Sequence, residues 1–382
     1  MRGVISLLRK WRFILGLLVV SAVVFAAACG DFGGQPAGQE EEAAGDEGTA
    51  VADEPELTPP PEIEGEVITG DLGEYTINFG IGLSETSPQY RSVEYFRDIL
   101  EERTEGRLQV RIFPNSQVGD DLQMMNALQS GTLEMTYPST SPATGIVPEL
   151  AVFDLPFLFP SPEAADEVLD SELGQEMLDR FDGTGIKALA FAENGYRQLT
   201  NSQRPVESPD DVRGLDLRVM ENPIQVDIWR TLGANPTSMA FGEVFSAMEQ
   251  GVVDGQENPW STILTSNFYE VQGYGSETRH VYTPFIIMIS EQFWNELPGE
   301  YQELIQEAAE KTRDYQRIIS REYDQWSKER LRDEGMEITE LTDEQRREFE
   351  EAVQPVYDRW APEIGEELVE RVQEMVAEFE ER

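Results

Sequence analysis

Between residues 75 and 136 the hydrophobic pattern switches repeatedly between a period of two and a helical period, and this limits the fold more than any other feature. Tyr75-Thr-Ile-Asn-Phe-Gly-Ile alternates as a strand, and residues 90–103 form an amphipathic helix. Leu108-Gln-Val-Arg-Ile-Phe alternates again, residues 122–129 read as a helix closed by Gly131, and Leu133-Glu-Met-Thr is a third strand. This β-α-β-α-β order is the mark of a mostly parallel sheet in an α/β fold. Such sheets bind ligands beyond the carboxyl ends of their strands. Thr136-Tyr137-Pro138-Ser139-Thr140 therefore sits at a ligand-facing edge, with Ser139 as a candidate contact.

Residues 214–260 carry the strongest chemistry. Leu215, Leu217 and Val219 alternate with Asp216, Arg218 and Met220, so one face of a strand is apolar and the other presents Arg218. A helix start follows, with Asn222 as N-cap and Pro223 at the first helical position, where a missing N–H needs no partner. Asn258-Pro259 repeats the device after Val252-Val253-Asp254, read as a short strand. The helix–Gly–strand pattern of 122–136 recurs at 245–253, which suggests a second, similar lobe. A guanidinium near two helix N-termini makes a carboxylate receptor, because it offers a bidentate fork and the helix ends add N–H groups and positive dipole. The alternative is an Arg218 paired with Asp216 or Glu221 on a solvated edge.

Three runs in this region carry a family resemblance. Gly214-Leu-Asp-Leu-Arg-Val-Met-Glu-Asn-Pro, Leu232-Gly-Ala-Asn-Pro236-Thr-Ser-Met-Ala-Phe-Gly-Glu-Val-Phe and Gln250-Gly-Val-Val-Asp-Gly-Gln-Glu-Asn-Pro259 closely resemble the solute-binding receptors of TRAP (tripartite ATP-independent periplasmic) transporters of the DctP type. The resemblance runs from about residue 75 to about residue 323. It implies an α/β, two-lobed periplasmic-binding-protein fold of the TRAP receptor type, with a long helix crossing both lobes. It further implies capture of a small organic acid between the lobes and delivery to the small and large permease subunits in the membrane.

By the same resemblance, Arg218 matches the cleft arginine that grips the carboxylate, and Asn258 adds an amide contact. Arg197, where the chain passes into the second lobe, is either a second contact or a support for the loop of Arg218. The far end of the pocket draws on 84–88, 137–141 including Ser139, and the Phe241 and Trp260 regions. Trp260 either walls the pocket or packs in the core. Glu85 either receives a cationic group, as in a zwitterion such as ectoine, or stays exposed. A C4-dicarboxylate or related small carboxylate is the default ligand. The family segment before the Tyr282 strand usually ends in a small residue then His, and Thr278-Arg279-His280 departs from it at Arg279.

Charge excludes one large class of partner. With 74 acidic residues against 29 Lys plus Arg, the net charge of −45 repels nucleic acid. Most basic residues are Arg, a bias consistent with a salty exterior that screens self-repulsion. The single cysteine, Cys29, allows no intrachain disulfide. Arg2, Arg9, Lys10 and Arg12 precede an apolar stretch that ends in Ala26-Ala27-Ala28 before Cys29. Residues 1–28 therefore read as a secretory signal peptide, and small residues directly before Cys29 resemble a lipoprotein signal with lipid on its sulfur. An uncleaved N-terminal anchor is the alternative. Either way the chain is extracytoplasmic and tethered, through a lipid anchor only in the first reading.

Residues 29–72, rich in Gly, Pro, Glu and Asp, read as an acidic disordered linker. A flexible chain of that length spans roughly 35–40 Å r.m.s.. Lobe I is expected over 73–195 with part of 283–325, and lobe II over 196–282 with parts of 283–382. A dense apolar run, Phe153-Asp-Leu-Pro-Phe-Leu-Phe, reads as a core-packing loop, and 163–181 as one helix. The long bridging helix is expected over 299–334 with Leu304, Ile305, Ala308, Ala309, Ile318 and Ile319 on its apolar side. Acidic C-terminal helices over 340–382 start at the capping box Thr342-Asp-Glu-Gln345 and break near Pro355 and Pro362.

No nucleophile–base pair, phosphate loop or Cys/His cluster is visible, and the single His280 cannot by itself build a metal site or triad. A binding protein without cofactor or metal, monomeric, is the reading. A ligand-binding module that feeds a sensor rather than a transporter is the alternative.

Overall fold

The computed structural model describes residues 55–382. The stretch read as a signal peptide, Cys29 and the first part of the expected linker lie outside the described residues. In chain order the strands are β1 Tyr75–Gly80, β2 Leu108–Phe113, β3 Met135–Thr136, β4 Ile186–Tyr196, β5 Gln198–Asn201, β6 Asp216–Val219, β7 Asn235–Ser238, β8 Gly255–Asn258, β9 Tyr274–Ser276, β10 Tyr282–Ser290 and β11 Glu337–Thr339. The helices are α1 Pro88–Arg103, α2 Asp121–Gln129, α3 Thr140–Ala143, α4 Pro162–Leu169, α5 Glu172–Asp179, α6 Pro223–Thr231, α7 Val244–Glu249, α8 Trp260–Thr265, α9 Glu291–Glu296, α10 Gly299–Asp333, α11 Asp343–Ile364 and α12 Glu366–Glu380.

Two sheets result. The first runs β2-β1-β3-β10-β4, with β1 parallel to β2 and β3 and with β10 antiparallel to β3 and β4. The second runs β11-β9-β5-β8-β6-β7, with β6 parallel to both neighbours. The chain passes from the first sheet to the second through Arg197 alone, which separates β4 from β5, and returns through residues 277–281. These crossings touch, since the Arg197 N–H donates to the Val281 carbonyl at 2.9 Å. α10, 35 residues long, packs on α1 and β4 of the first lobe and on α8 of the second. It buries Leu304, Ile305, Ala308, Ala309 and Ile319, whereas Ile318 is exposed because it points one residue off that stripe.

Local signals explain most boundaries. Ser87 accepts the Tyr90 N–H and Pro88 opens α1; Asp120 and Gln123 close a capping box on α2; Asn222 accepts the Ile224 N–H and Pro223 opens α6.

Several expectations need correction. Residues 55–72 are not a free linker: Leu57, Ile63, Ile68 and Leu72 pack on the first core, and Arg103 and Arg107 hold the backbone carbonyls of Glu64, Glu66, Ile68 and Gly70. Acidic composition hid the spaced apolar residues, and arginine donors replace a sheet partner. Residues 163–181 form two helices, because Ser171 accepts the N–H groups of Leu173 and Gly174 and starts α5 afresh. Residues 252–254 are a turn, and the strand lies one step later at Gly255–Asn258. α11 runs unbroken through Pro355 and Pro362 and stops at Gly365. Each proline removes one N–H, and burial of Phe349, Val353, Val356 and Ile364 outweighs that loss.

Candidate functional site

A cleft between the two sheets, with about 550 Å³ of empty space including the part open to solvent, collects residues from both lobes. Gly82, Leu83, Gln89, Asp121, Tyr137, Ser139, Pro142, Asn194 and Phe285 come from the first, and Arg218, Met220, Glu221, Phe241, Asn258 and Thr262 from the second. It is built by the carboxyl ends of β1, β3, β6 and β8 and the turns that follow them, the position expected for an α/β sheet.

Among the described residues Arg218 is the only cation on the lining, and 2 % of it is exposed. Its Nε and Nη2 both donate to the Met239 carbonyl, at 2.9 and 2.7 Å. Nη1 is buried without a partner. One edge of the fork is therefore fixed to backbone, while Nη1 and the second Nη2 hydrogen remain for a ligand. Among the described residues no carboxylate stands within ion-pair distance, so the alternative pairing with Asp216 or Glu221 is ruled out. Asp216 instead receives the Asn235 amide at 2.9 Å. Burial, and secondarily the nearby charge of Arg197, lower the guanidinium pKa to about 10, so it stays charged at neutral pH.

Opposite lies Asp121, the first residue of α2 after the cap. It accepts the Ser139 N–H at 3.3 Å. Its side chain keeps partial contact with the cleft, yet the surrounding protein shields it from bulk water. That desolvation, only partly offset by the Ser139 N–H and by Arg218, pushes its carboxyl up to about 7. Ser139 Oγ and Gln89 Oε1 are buried with no partner, and Gln89 Nε2 is tied to the Tyr137 carbonyl at 2.7 Å. Buried polar groups left open like these are uncommon in finished interiors.

Arg197 is fully buried and does not line the cleft. It forms a short fork with the Glu257 carboxylate, and Nη2 also reaches Asn258 Oδ1 at 3.0 Å. His280 Nε2 lies 3.1 Å from Glu257 Oε2, and Nδ1 lies 2.8 Å from the Thr278 hydroxyl. Burial pushes the Glu257 carboxyl up, but Arg197 and His280 overcome it and hold it at about 2. Burial also lowers the His280 pKa. The neutral ring then carries its proton on Nε2, facing a carboxylate that can only accept. This network joins the two sheet crossings, and it holds Arg197 off the cleft lining.

Asn258 reaches the cleft, but its amide is largely engaged, with Oδ1 on Arg197 and Nδ2 on Gln256 at 2.5 Å. It ends β8 and does not cap α8, because its side chain turns back toward the arginine. Trp260 is 2 % exposed and sits in the second-lobe core with Val244, Ile263 and Leu331 rather than on the cleft, since α8 turns its first residue inward. Glu85 is exposed on the turn before α1 and lies off the cleft. Phe241 and Ser139 do line it. Arg279, the departure from the family pattern, stacks on the Tyr196 ring at 4.2 Å. Sequence reasoning missed Asp121, Gln89, Asn194 and Thr262. Asp121 was readable only as a helix-start acid, and no periodicity or motif singled out the others.

A family model described as bacterial extracellular solute-binding protein, family 7 (DctP) matches residues 79–363. The chain belongs to this family. A solute-binding protein of Verminephrobacter eiseniae is 40% identical over 263 residues, covering 69% of this chain and 78% of the relative. The crystal structure of the sugar acid binding protein of Advenella mimigardefordensis in complex with galactonate superposes with a TM-score of 0.79 at 38% identity, covering 81% of this chain and 99% of that one. A TRAP periplasmic solute binding protein of Sulfurospirillum deleyianum with bound succinate gives 0.76 at 33%, covering 79% and 99%. As a DctP-family TRAP receptor the chain is a binding protein rather than an enzyme. Among its described residues no helix is long and apolar enough to cross a membrane.

Proposed function

We propose that this DctP-family receptor captures a small organic acid between its lobes and delivers it to the membrane subunits of a TRAP transporter. One observation carries the reading: a buried, charged Arg218 faces an interlobe cleft with one edge fixed to backbone and the other unpartnered. A desolvated guanidinium in that state is complementary to a carboxylate. The similar structures with bound galactonate and succinate agree with it. Closure would bend the two crossings at Arg197 and 277–281 while the lobes 73–195 and 196–282 move as bodies.

Outside the described residues, cleavage after 28 and lipid on Cys29 would tether a monomeric receptor to the cell membrane. Loss of membrane retention on Cys29→Ala tests the anchor. A thermal-shift screen of the mature chain in high salt, with mono- and dicarboxylates, sugar acids, 2-oxoacids and ectoine, tests the function. Binding to the folded state alone adds about 2.7 kcal/mol at a hundredfold excess over Kd. A hit lost in Arg218→Ala supports the carboxylate grip, and a hit retained there overturns it.

A further inference from the structure

Ligand capture leaves one region unused, the acidic run before β1. Residues 55–72 precede the first residue matched to the family, at 79, so the family's receptor role does not account for them. They nonetheless dock as a strap. Leu57, Ile63, Ile68 and Leu72 are half-buried on the first-lobe core, and the residues between them face outward.

The strap is fastened to α10 at both ends. At one end the Tyr301 hydroxyl donates to the Gly73 carbonyl at 3.2 Å. At the other the Thr58 N–H and hydroxyl donate to the Glu322 carboxylate, at 2.8 and 2.6 Å. At the helical rise per residue, Tyr301 and Glu322 lie about 30 Å apart along α10. Between them α1 and the turn after it hold the strap. Arg103 donates to the carbonyls of Glu64 and Glu66 at 2.9 and 2.7 Å, and Arg107 to those of Ile68 and Gly70. The Ile68 N–H donates to the Arg103 carbonyl at 2.8 Å. Gly65 crosses directly over the Arg103 guanidinium at φ +112, a position and a backbone angle that exclude a side chain.

None of these fastenings uses the strap's own charges. Glu56, Glu62, Glu64, Glu66 and Asp71 are all exposed, and the run 55–72 contains no Lys or Arg. Among the described residues no ion pair holds any of the five, and Arg103 and Lys311 pair with Glu307 of α10 instead, at 3.4 and 2.7 Å. An acidic strap is thus laid on a chain of net charge −45. Arg103 and Arg107 attract its acids at short range, but two cations are outweighed by the net charge of the body once screening is weak. Charges act over about 30 Å in 0.01 M salt and only about 3 Å in 1 M. Apolar contact and hydrogen bonds to carbonyls persist at high salt, whereas the repulsion does not.

We infer that residues 55–72 are a salt-dependent strap, docked along α10 at high ionic strength and released as salt falls. Docked, the chain leaves the body at Thr58, beside Glu322. Released, it leaves at β1, and the stretch between Cys29 and the body gains the whole strap. Ionic strength thereby sets where the N-terminal segment departs and how far it reaches. The inference does not depend on the grip by Arg218.

The test is hydrogen exchange of the mature chain, read by mass spectrometry from about 0.05 M to about 2 M NaCl. Protection of residues 56–72 is expected to rise at least about tenfold over that range, while the amides of β10 change little. Glu62→Gln, Glu64→Gln and Glu66→Gln together remove charge and keep every fastening. That triple variant should hold the strap protected at low salt, with most of the salt dependence gone. Gly65→Val should leave the strap unprotected at every salt, and the melting midpoint of the body separates this release from global unfolding. Four results overturn the inference: flat protection in the wild type, protection that falls as salt rises, a triple variant with the wild-type salt dependence, or a Gly65→Val strap as protected as the wild type. So does a β10 that loses protection in step with the strap, since the salt response then belongs to the whole fold.

Discussion

Two buried arginines stand near one another, and their surroundings are opposite. Arg197 has its counter-ion: its fork meets Glu257, and Asn258, His280 and Thr278 extend the network between the sheet crossings, while its Nη1 is buried without a partner like that of Arg218. Arg218 is unmatched: its one fixed edge rests on a backbone carbonyl and no carboxylate pairs with it. The nearby carboxylates record the difference. Glu257 is held ionised down to about 2, whereas Asp121 is pushed up to about 7. An arginine with its counter-ion in place serves the scaffold, whereas a buried arginine without one is complementary to an anionic ligand that would supply the missing charge.

The largest effect should come from breaking the matched site. Glu257→Gln leaves the charge of Arg197 buried without its counter-ion, and removal of one partner of a buried pair typically costs about 3–5 kcal/mol. Urea unfolding should show that loss, with a ligand affinity per folded molecule much less affected. The same depressed carboxyl predicts a pH window. Its stabilisation is present above the unfolded value near 4.5 and is lost as pH falls toward about 2. The mutant should therefore lack part of the acid unfolding of the wild type.

Next in size is the unmatched site. Arg218→Ala should weaken organic-acid binding about tenfold to a hundredfold, since a charge-assisted buried hydrogen bond contributes about 1.5–3 kcal/mol. Global stability should fall little, because the charge removed had no counter-ion. Arg218→Lys should bind poorly as well, having lost the fork. Equal stability losses at Arg197 and Arg218, read by the same unfolding experiment, would erase the contrast.

A smaller effect is expected at Asp121. Its folded pKa is raised, so the stability it contributes is full below about pH 4 and is lost as pH rises through about 7. Asp121→Asn cannot ionise. It should melt higher than wild type at pH 8, by about 2–4 °C for each kcal/mol in a chain of this size, and the gap should close toward pH 4. The smallest effect belongs to Glu85→Gln on the exposed turn, where both stability and affinity should stay within about 0.5 kcal/mol.

Much of this was readable before any coordinates. Alternation over 75–80, 108–113 and 216–219 is a local property, and so are the caps at Ser87, Asp120 and Asn222. The strand carrying Arg218 and the ligand-facing turn at Ser139 followed from them. Other features joined residues far apart in the chain. Gln316 and Glu193 are separated by 123 positions, and no period links them. Trp260 and Asn258 are two residues apart in one motif, yet one enters the core and the other reaches the cleft. Pro355 and Pro362 show the converse, a local rule overruled by burial of the helix they occupy.

The sequence by itself therefore determined the α/β class, the order of elements, the capped helix starts and the candidate status of Arg218, because those depend on neighbours within a few residues. Tertiary structure decided which arginine has its counter-ion and which acid resists ionisation. Charge compensation and desolvation depend on what lies within a few ångströms in space, and only the folded chain brings Glu257 to Arg197 and leaves Arg218 without a counter-ion.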